Sequence, residues 1–279
     1  MQFWADLSTV SDIIYKKIKV KAMKEVTVRI LENKPIAAGI YRMTFALPVK
    51  VGGISCGKFV NISVGDGAHL LRRPIAVCEH TEDAVTICYQ LKGEGTKLMS
   101  GKKAGDALSC VLPLGNGFSL RDEDKRVALI GGGVGVFPMY SVLKEYEGAG
   151  KKLFSYIGFR NKAAVCYAEG FAALSEKAEI VTDDGSFGKK ANAVEAFFDD
   201  FENAKPDVIL SCGPTPMLRA LKAGLAEREI NIPCYVSLEE RMGCGIGACL
   251  VCVCKKSGKA ENARVCKDGP VFGIGEVEL

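Results

Sequence analysis

Five of the chain's twelve cysteines crowd between positions 244 and 266, while Cys56, Cys78, Cys88, Cys110, Cys166, Cys212 and Cys234 lie scattered. A scattered cysteine usually acts as a small buried apolar residue. The crowded stretch needs another cause. It reads Glu239-Glu240-Arg241-Met242-Gly243-Cys244-Gly245-Ile246-Gly247-Ala248-Cys249-Leu250-Val251-Cys252, with Cys254 and then Cys266 beyond a hairpin expected at Ser257–Gly258. The last part of the chain, from about residue 233, is short and rich in Gly and Cys. Such a segment cannot build a core of its own, so a metal is expected to organise it.

Disulfides would require export, and no segment reads as a signal peptide or membrane span. Asp6 and Asp12 interrupt the apolar residues at the start, and the most apolar stretch, Val127 to Tyr140, carries Gly131, Gly132, Gly133 and Gly135. A cytoplasmic location is expected. The spacing C-x4-C-x2-C…C over Cys244, Cys249, Cys252 and Cys266 is that of plant-type [2Fe–2S] sites. Gly243, Gly245 and Gly247 let the backbone wrap such a cluster. Structural zinc is the rival, although zinc sites more often pair two C-x2–4-C units; unliganded thiols are the other. Strand alternation puts Cys254 on the same face as Cys252, so it stands as an alternative ligand.

Upstream, 279 residues suffice for two domains and an appendage. Residues 1–24 read as an appended helical arm ending in a lysine-rich run. Over 25–120, short β-type runs (Val26–Leu31, Ile40–Leu47, Phe59–Val64, Ala84–Gln90, Ala107–Leu112) are separated by turns such as Gly65–Asp66–Gly67. That pattern predicts a small antiparallel barrel. Over 121–232 the style changes to alternating strands and helices, with strands at Val127–Ile130, Lys152–Gly158, Glu179–Thr182 and Asp207–Cys212. Alternation of this kind predicts a parallel sheet with crossover helices. Residues 233–279 form the metal-bearing unit. The fold class expected is therefore β plus α/β with a small C-terminal cluster domain.

Three motifs carry further chemistry. Arg73-Pro74-Ile75-Ala76, Cys88-Tyr89-Gln90 and Gly93-Glu94-Gly95-Thr96 combine a guanidinium with a Gly-Thr turn, a pair able to hold a diphosphate. Gly131-Gly132-Gly133-Val134-Gly135 to Pro138 links a buried strand to a helix N-terminus, where free N–H groups favour a pyrophosphate. Cys212-Gly213-Pro214 is a second strand-to-helix turn, with its thiol at the carboxyl end of the sheet, where ligands lie in such folds. Ordinary strand-edge, packing and inert-thiol roles are the plain readings of these motifs.

In this order, the motifs resemble the ferredoxin–NADP reductase superfamily and, within it, the electron-transfer subunits of NAD-dependent dihydroorotate dehydrogenase B. The resemblance covers residues 25–279, including Thr182-Asp183-Asp184-Gly185-Ser186 and Arg264-Val265-Cys266-Lys267-Asp268-Gly269-Pro270. It implies that Arg73, Pro74, Ile75, Ala76, Cys88, Tyr89, Gln90, Gly95 and Thr96 line an FAD. It implies that Gly132, Gly133, Gly135, Pro138, Gly213 and Pro214 receive NAD(H), with Cys212 beside the reacting nicotinamide. The partner implied is an FMN-containing dihydroorotate dehydrogenase catalytic subunit, two of each chain, in pyrimidine biosynthesis. Ala76 stands where the family usually has Ser, and the stretch Gly188-Lys189-Lys190-Ala191-Asn192 lacks a glycine that the resemblance leads one to expect near Ala191.

The chain is thus expected to be an oxidoreductase subunit. Related flavin–iron–sulfur subunits of bifurcating ferredoxin:NADP reductases or sulfite reductases are the first alternative. The bifurcating kind commonly has Asp at the first ligand position, where this chain has Cys244. A non-enzymatic metal-binding module is the second. Arg160 and Lys162 follow a sheet strand and could meet a 2′-phosphate, although the resemblance favours NADH. A net charge of +4 argues against electrostatic nucleic-acid binding. His69 and His80 are expected to be satisfied surface or core groups.

Overall fold

The structure, a computed structural model, describes residues 23–65 and 67–279. The N-terminal arm up to residue 22 and Asp66 lie outside the described residues. Six strands close a barrel: β1 (Lys24–Ala37), β2 (Ile40–Ala46), β3 (Phe59–Ile62), β4 (Arg73–His80), β5 (Ala84–Gln90) and β6 (Ala107–Leu114), in the order β1-β2-β5-β4-β3-β6. All pairings are antiparallel. β4 adds a sixth strand to the five apolar runs read from the sequence. Its Pro74 weakens the strand pattern by removing an N–H. A helix, α1 (Glu94–Ser100), fills the turn between β5 and β6.

The second unit is a seven-stranded sheet. It contains β7 (Arg126–Gly132), β8 (Lys152–Phe159), β9 (Lys177–Thr182), β10 (Lys189–Lys190) and β11 (Val208–Cys212), all parallel, then β12 (Cys234–Ser237) and the antiparallel β15 (Val271–Gly273). Helices α2 (Val136–Glu145), α3 (Ala168–Leu174), α4 (Ala193–Asp199), α5 (Phe201–Ala204) and α6 (Thr215–Glu227) connect the strands. The continuous apolar run of β7 has a two-sided cause. Val127 and Leu129 enter one core and Ala128 and Ile130 the other, so both faces are covered.

The first of those cores is shared. Ile40, Cys56, Cys78, Cys88 and Phe118 of the barrel side pack with Val127, Leu129, Phe137 and Cys212. Tyr167 reinforces the seam: its hydroxyl accepts from Arg42 Nε at 3.1 Å and donates to Glu79 Oε1 at 3.2 Å. Barrel and sheet are thus fused through a common interior.

The cluster unit contains a small ladder, β13 (Val253–Lys255) with β14 (Asn262–Arg264). Its core borrows Phe59 and Leu114 from the barrel to cover Cys252, Val265, Cys266 and Phe272. The pairing of β12 with β15 also ties it to the sheet. Among the described residues, no helix is long and apolar enough to cross a membrane.

Candidate functional site

One cavity of about 260 Å³ opens where the three units meet. Pro74, Ile75 and Ala76 on β4, Cys88, Tyr89 and Gln90 at the end of β5, and Thr96 on α1 line it from the barrel. Pro138 and Cys212 line it from the sheet. Nine residues singled out in the sequence, far apart in the chain, therefore share one wall system.

Tyr89 is braced from behind. Its hydroxyl donates to Asn33 Oδ1 at 3.0 Å, and Asn33 Nδ2 donates to the carbonyls of Met99 and Lys102 at 2.9 Å each. Arg73 and Gly95 sit just outside the wall and touch each other. A Cβ at Gly95 would stand 2.0 Å from Arg73 Nε, so only glycine lets the guanidinium lie across the start of α1. Thr96 closes that turn, its hydroxyl oxygen accepting from Lys92 N at 3.0 Å and Gly93 N at 3.3 Å.

Gly132, Gly133, Gly135, Gly213 and Pro214 lie on the two neighbouring turns at the carboxyl ends of β7 and β11. These turns are packed on each other: a Cβ at Gly135 would come 2.2 Å from the Cys212 carbonyl oxygen. Pro138 occupies the first turn of α2, where its missing N–H costs nothing. Cys212 is 3% exposed. Burial and then Glu239 push its thiol well above the usual range, while a bond with Ser237 works the other way.

Phe59, Phe137, Leu238, Glu239, Glu240 and Pro270 also line the cavity, a role the sequence did not assign them: Glu239, Glu240 and Pro270 fall in the cluster segments and the others in plain apolar runs. Leu238 and Pro270 meet because β12 pairs with β15, with Leu238 N donating to Pro270 O at 2.9 Å.

The cluster loop lies beside this cavity, with Met242 in its wall. The sulfur of Cys244 accepts from the N–H groups of Ile246, Ala248 and Cys249 at 3.3–3.4 Å. Cys249 Sγ accepts from Cys244 N at 3.4 Å, and Cys252 Sγ from Cys266 N at 3.4 Å. Burial opposes ionisation of Cys244, but these N–H donors carry its thiol down to about 6. Arg264, paired with Asp268 at 3.0 and 3.1 Å, also donates to Gly247 O at 3.4 Å and so pins the loop.

The sulfurs therefore stand as two pairs, Cys244 with Cys249 and Cys252 with Cys266, surrounded by inward N–H groups. Among the described residues, no three His, Cys, Asp or Glu side chains are arranged to share a single ion. Two cysteine pairs with N–H donors on sulfur fit a two-iron cluster. Cys254 lies apart from the two pairs, opposite Ala263 in the β13–β14 ladder; burial pushes its thiol up, as it does that of Cys266.

A barrel docked on a parallel dinucleotide-type sheet, with a ferredoxin-like cysteine loop at their junction, defines an oxidoreductase of the ferredoxin–NADP reductase fold. Residues 239–278 match the iron-sulfur cluster binding domain of dihydroorotate dehydrogenase B, and residues 129–223 match the oxidoreductase NAD-binding domain. The chain is 46% identical over 230 residues to the "dihydroorotate dehydrogenase B (NAD(+)), electron transfer subunit" of Geobacillus kaustophilus, covering 80% of this chain and 86% of the relative. The Bacillus pumilus protein of the same name is 40% identical over 264 residues, 92% of this chain and 99% of that one. The chain belongs to the family of dihydroorotate dehydrogenase B electron-transfer subunits.

Among solved structures, an NADH-dependent reduced ferredoxin–NADP oxidoreductase studied for flavin-based electron bifurcation superposes with a TM-score of 0.80 at 28% identity, over 90% of this chain and 89% of that one. Phthalate dioxygenase reductase shares the fold, with a TM-score of 0.65 at 18% identity over 84% of this chain and 88% of its own.

Proposed function

We propose that this chain carries electrons between an FMN-containing dihydroorotate dehydrogenase catalytic subunit and NAD⁺, in a complex holding two of each chain. The setting is pyrimidine biosynthesis in the cytoplasm. The observation that carries this reading is the single cavity walled by the barrel, the sheet turns and the cluster unit together. A [2Fe–2S] cluster supplies one-electron steps, and FAD supplies the exchange between single electrons and hydride.

The chain's own residues place and insulate these groups. Cys244 and Cys249 would hold one iron, and Cys252 and Cys266 the other. Pro74–Ala76 and Cys88–Gln90 would line the flavin ring, and Arg73 with the Gly95–Thr96 turn would receive its diphosphate. The Gly132–Pro138 and Cys212–Pro214 turns would hold the nicotinamide dinucleotide, with Cys212 against the ring. The exposed apolar side chains Ile246 and Leu250 on the cluster loop suit the contact with the catalytic subunit.

The test is NAD⁺ reduction by dihydroorotate, assayed with this chain alone and then with an FMN-containing dihydroorotate dehydrogenase subunit added. Activity is expected only in the mixture. Turnover by the isolated chain, or none in the mixture despite bound flavin and iron, overturns the proposal. Cys244 at the first ligand position favours this reading over a bifurcating reductase.

A further inference from the structure

Asn61 stands where the barrel touches the cluster loop. On β3, Val60 and Ile62 face the barrel core, so alternation turns Phe59 and Asn61 to the opposite face. Phe59 packs beneath the cluster unit and lines the cavity. Asn61 is 0% exposed, and its Nδ2 donates to the carbonyl of Cys244 at 3.4 Å. The loop approaches closely, for a Cβ at Gly245 would stand 2.6 Å from that nitrogen. On its other side, the cross-strand partner of Asn61 is Pro74, part of the cavity wall.

Its Oδ1 is buried and finds no partner among the described residues. A buried amide oxygen without a donor is costly, and simple packing does not require one. Leucine, of similar shape, would fill the space without that cost. The polar group therefore calls for a role beyond packing.

We infer that Asn61 is a positioning residue for one-electron exchange between the cavity and the cluster, holding the Cys244 backbone against the barrel and setting the local dipole there. The inference rests on the reading of the cavity as the flavin site and the loop as the cluster site. With both groups bound, the exchange would move a single electron, one group being oxidised as the other is reduced, and Asn61 would form and break no bond. Tunnelling falls off exponentially with distance, and groups bonded to metal ligands tune the potential. A residue that fixes both the loop and the dipole acts on each.

The test uses Asn61→Leu and Asn61→Asp in the complete two-subunit enzyme. Stopped-flow mixing with NADH separates flavin reduction from the later arrival of electrons at the cluster, and a redox titration followed by electron paramagnetic resonance gives the cluster potential. Flavin reduction is expected to match the parent in both variants, while electron arrival at the cluster slows about tenfold in Asn61→Leu. Asn61→Asp adds negative charge and is expected to lower the cluster potential. Unchanged cluster kinetics and potential in both variants overturn the inference. So does loss of the fold or cluster in Asn61→Leu alongside parent-like behaviour of Asn61→Asp. A parent enzyme lacking flavin or cluster would instead overturn the proposed function.

Discussion

The cluster loop and the barrel–sheet seam use the same side chain in opposite ways. In the loop, Cys244 and Cys249 sit near the surface and backbone N–H groups converge on the Cys244 sulfur, so Cys244 is carried down to about 6 even though burial opposes it. In the seam, Cys56, Cys78 and Cys212 are enclosed by apolar side chains, and desolvation pushes all three thiols up. Burial disfavours a thiolate, and directed N–H donors favour it. The contrast belongs to Cys244: the proposed ligand Cys266 is itself buried and its thiol is pushed up to about 12, so a thiol's environment alone does not mark a ligand, and the loop's spacing and sulfur pairing do.

The largest expected effect breaks this contrast at the loop. Cys249→Ser should abolish the iron signal in electron paramagnetic resonance while flavin absorbance persists, since the residues proposed to hold the flavin, Arg73–Ala76, Cys88–Gln90 and Gly95–Thr96, belong to the barrel unit. Cys254→Ser should keep the signal, and its loss would make Cys254 a ligand.

In the seam, Gly135→Ala forces a Cβ to within 2.2 Å of the Cys212 carbonyl. An overpacking cost of about 3 kcal/mol is expected in denaturant unfolding, with weaker NADH binding. A parent-like midpoint would mean that the two turns separate easily.

Cys212→Ala sharpens the comparison, because it asks whether a buried seam thiol also serves chemistry. Flavin reduction by NADH should slow about tenfold with little change in NADH affinity, as when a contact matters mainly in the reacting geometry. A rate equal to the parent's would return Cys212 to packing alone.

The smallest effect concerns Glu145, which reaches across the seam to accept from Cys56 N at 2.5 Å and lies 3.9 Å from His80 Nε2. Burial would raise its carboxyl, yet His80 and the Cys56 N–H hold it below the usual value of 4.5. A lowered folded-state pKa stabilises the protein above the unfolded pKa, and that contribution is lost as pH falls through the folded one. Glu145→Gln should therefore cost about 1 kcal/mol at pH 7, and the gap should close as the pH falls below 4.5 and through the lowered folded-state pKa. A gap that persists in acid would place the effect in packing.

Much of this molecule follows from short-range pattern. The spacing of Cys244, Cys249, Cys252 and Cys266 picks out four sulfurs because a loop wrapping a cluster is a local object. The apolar run Val127–Ile130 declares a doubly covered strand for a similar reason. Other features belong to long-range pairing. β4 escapes the apolar pattern because Pro74 and the half-buried start of the strand interrupt it. Glu239, Glu240 and Pro270 join the cavity only through the β12–β15 ladder. Asn61 carries no signal in its neighbours, since its contact with Cys244 spans 183 positions.

The sequence by itself determined the two strand styles, the glycine turns and the cysteine spacing, because each depends on backbone geometry within a few residues. Only the tertiary structure decided that the three units share cores, that nine marked residues line one cavity, and that the sulfurs stand in pairs. Those outcomes depend on which distant surfaces bury each other, a choice made by the total apolar area covered and by the register of the paired strands.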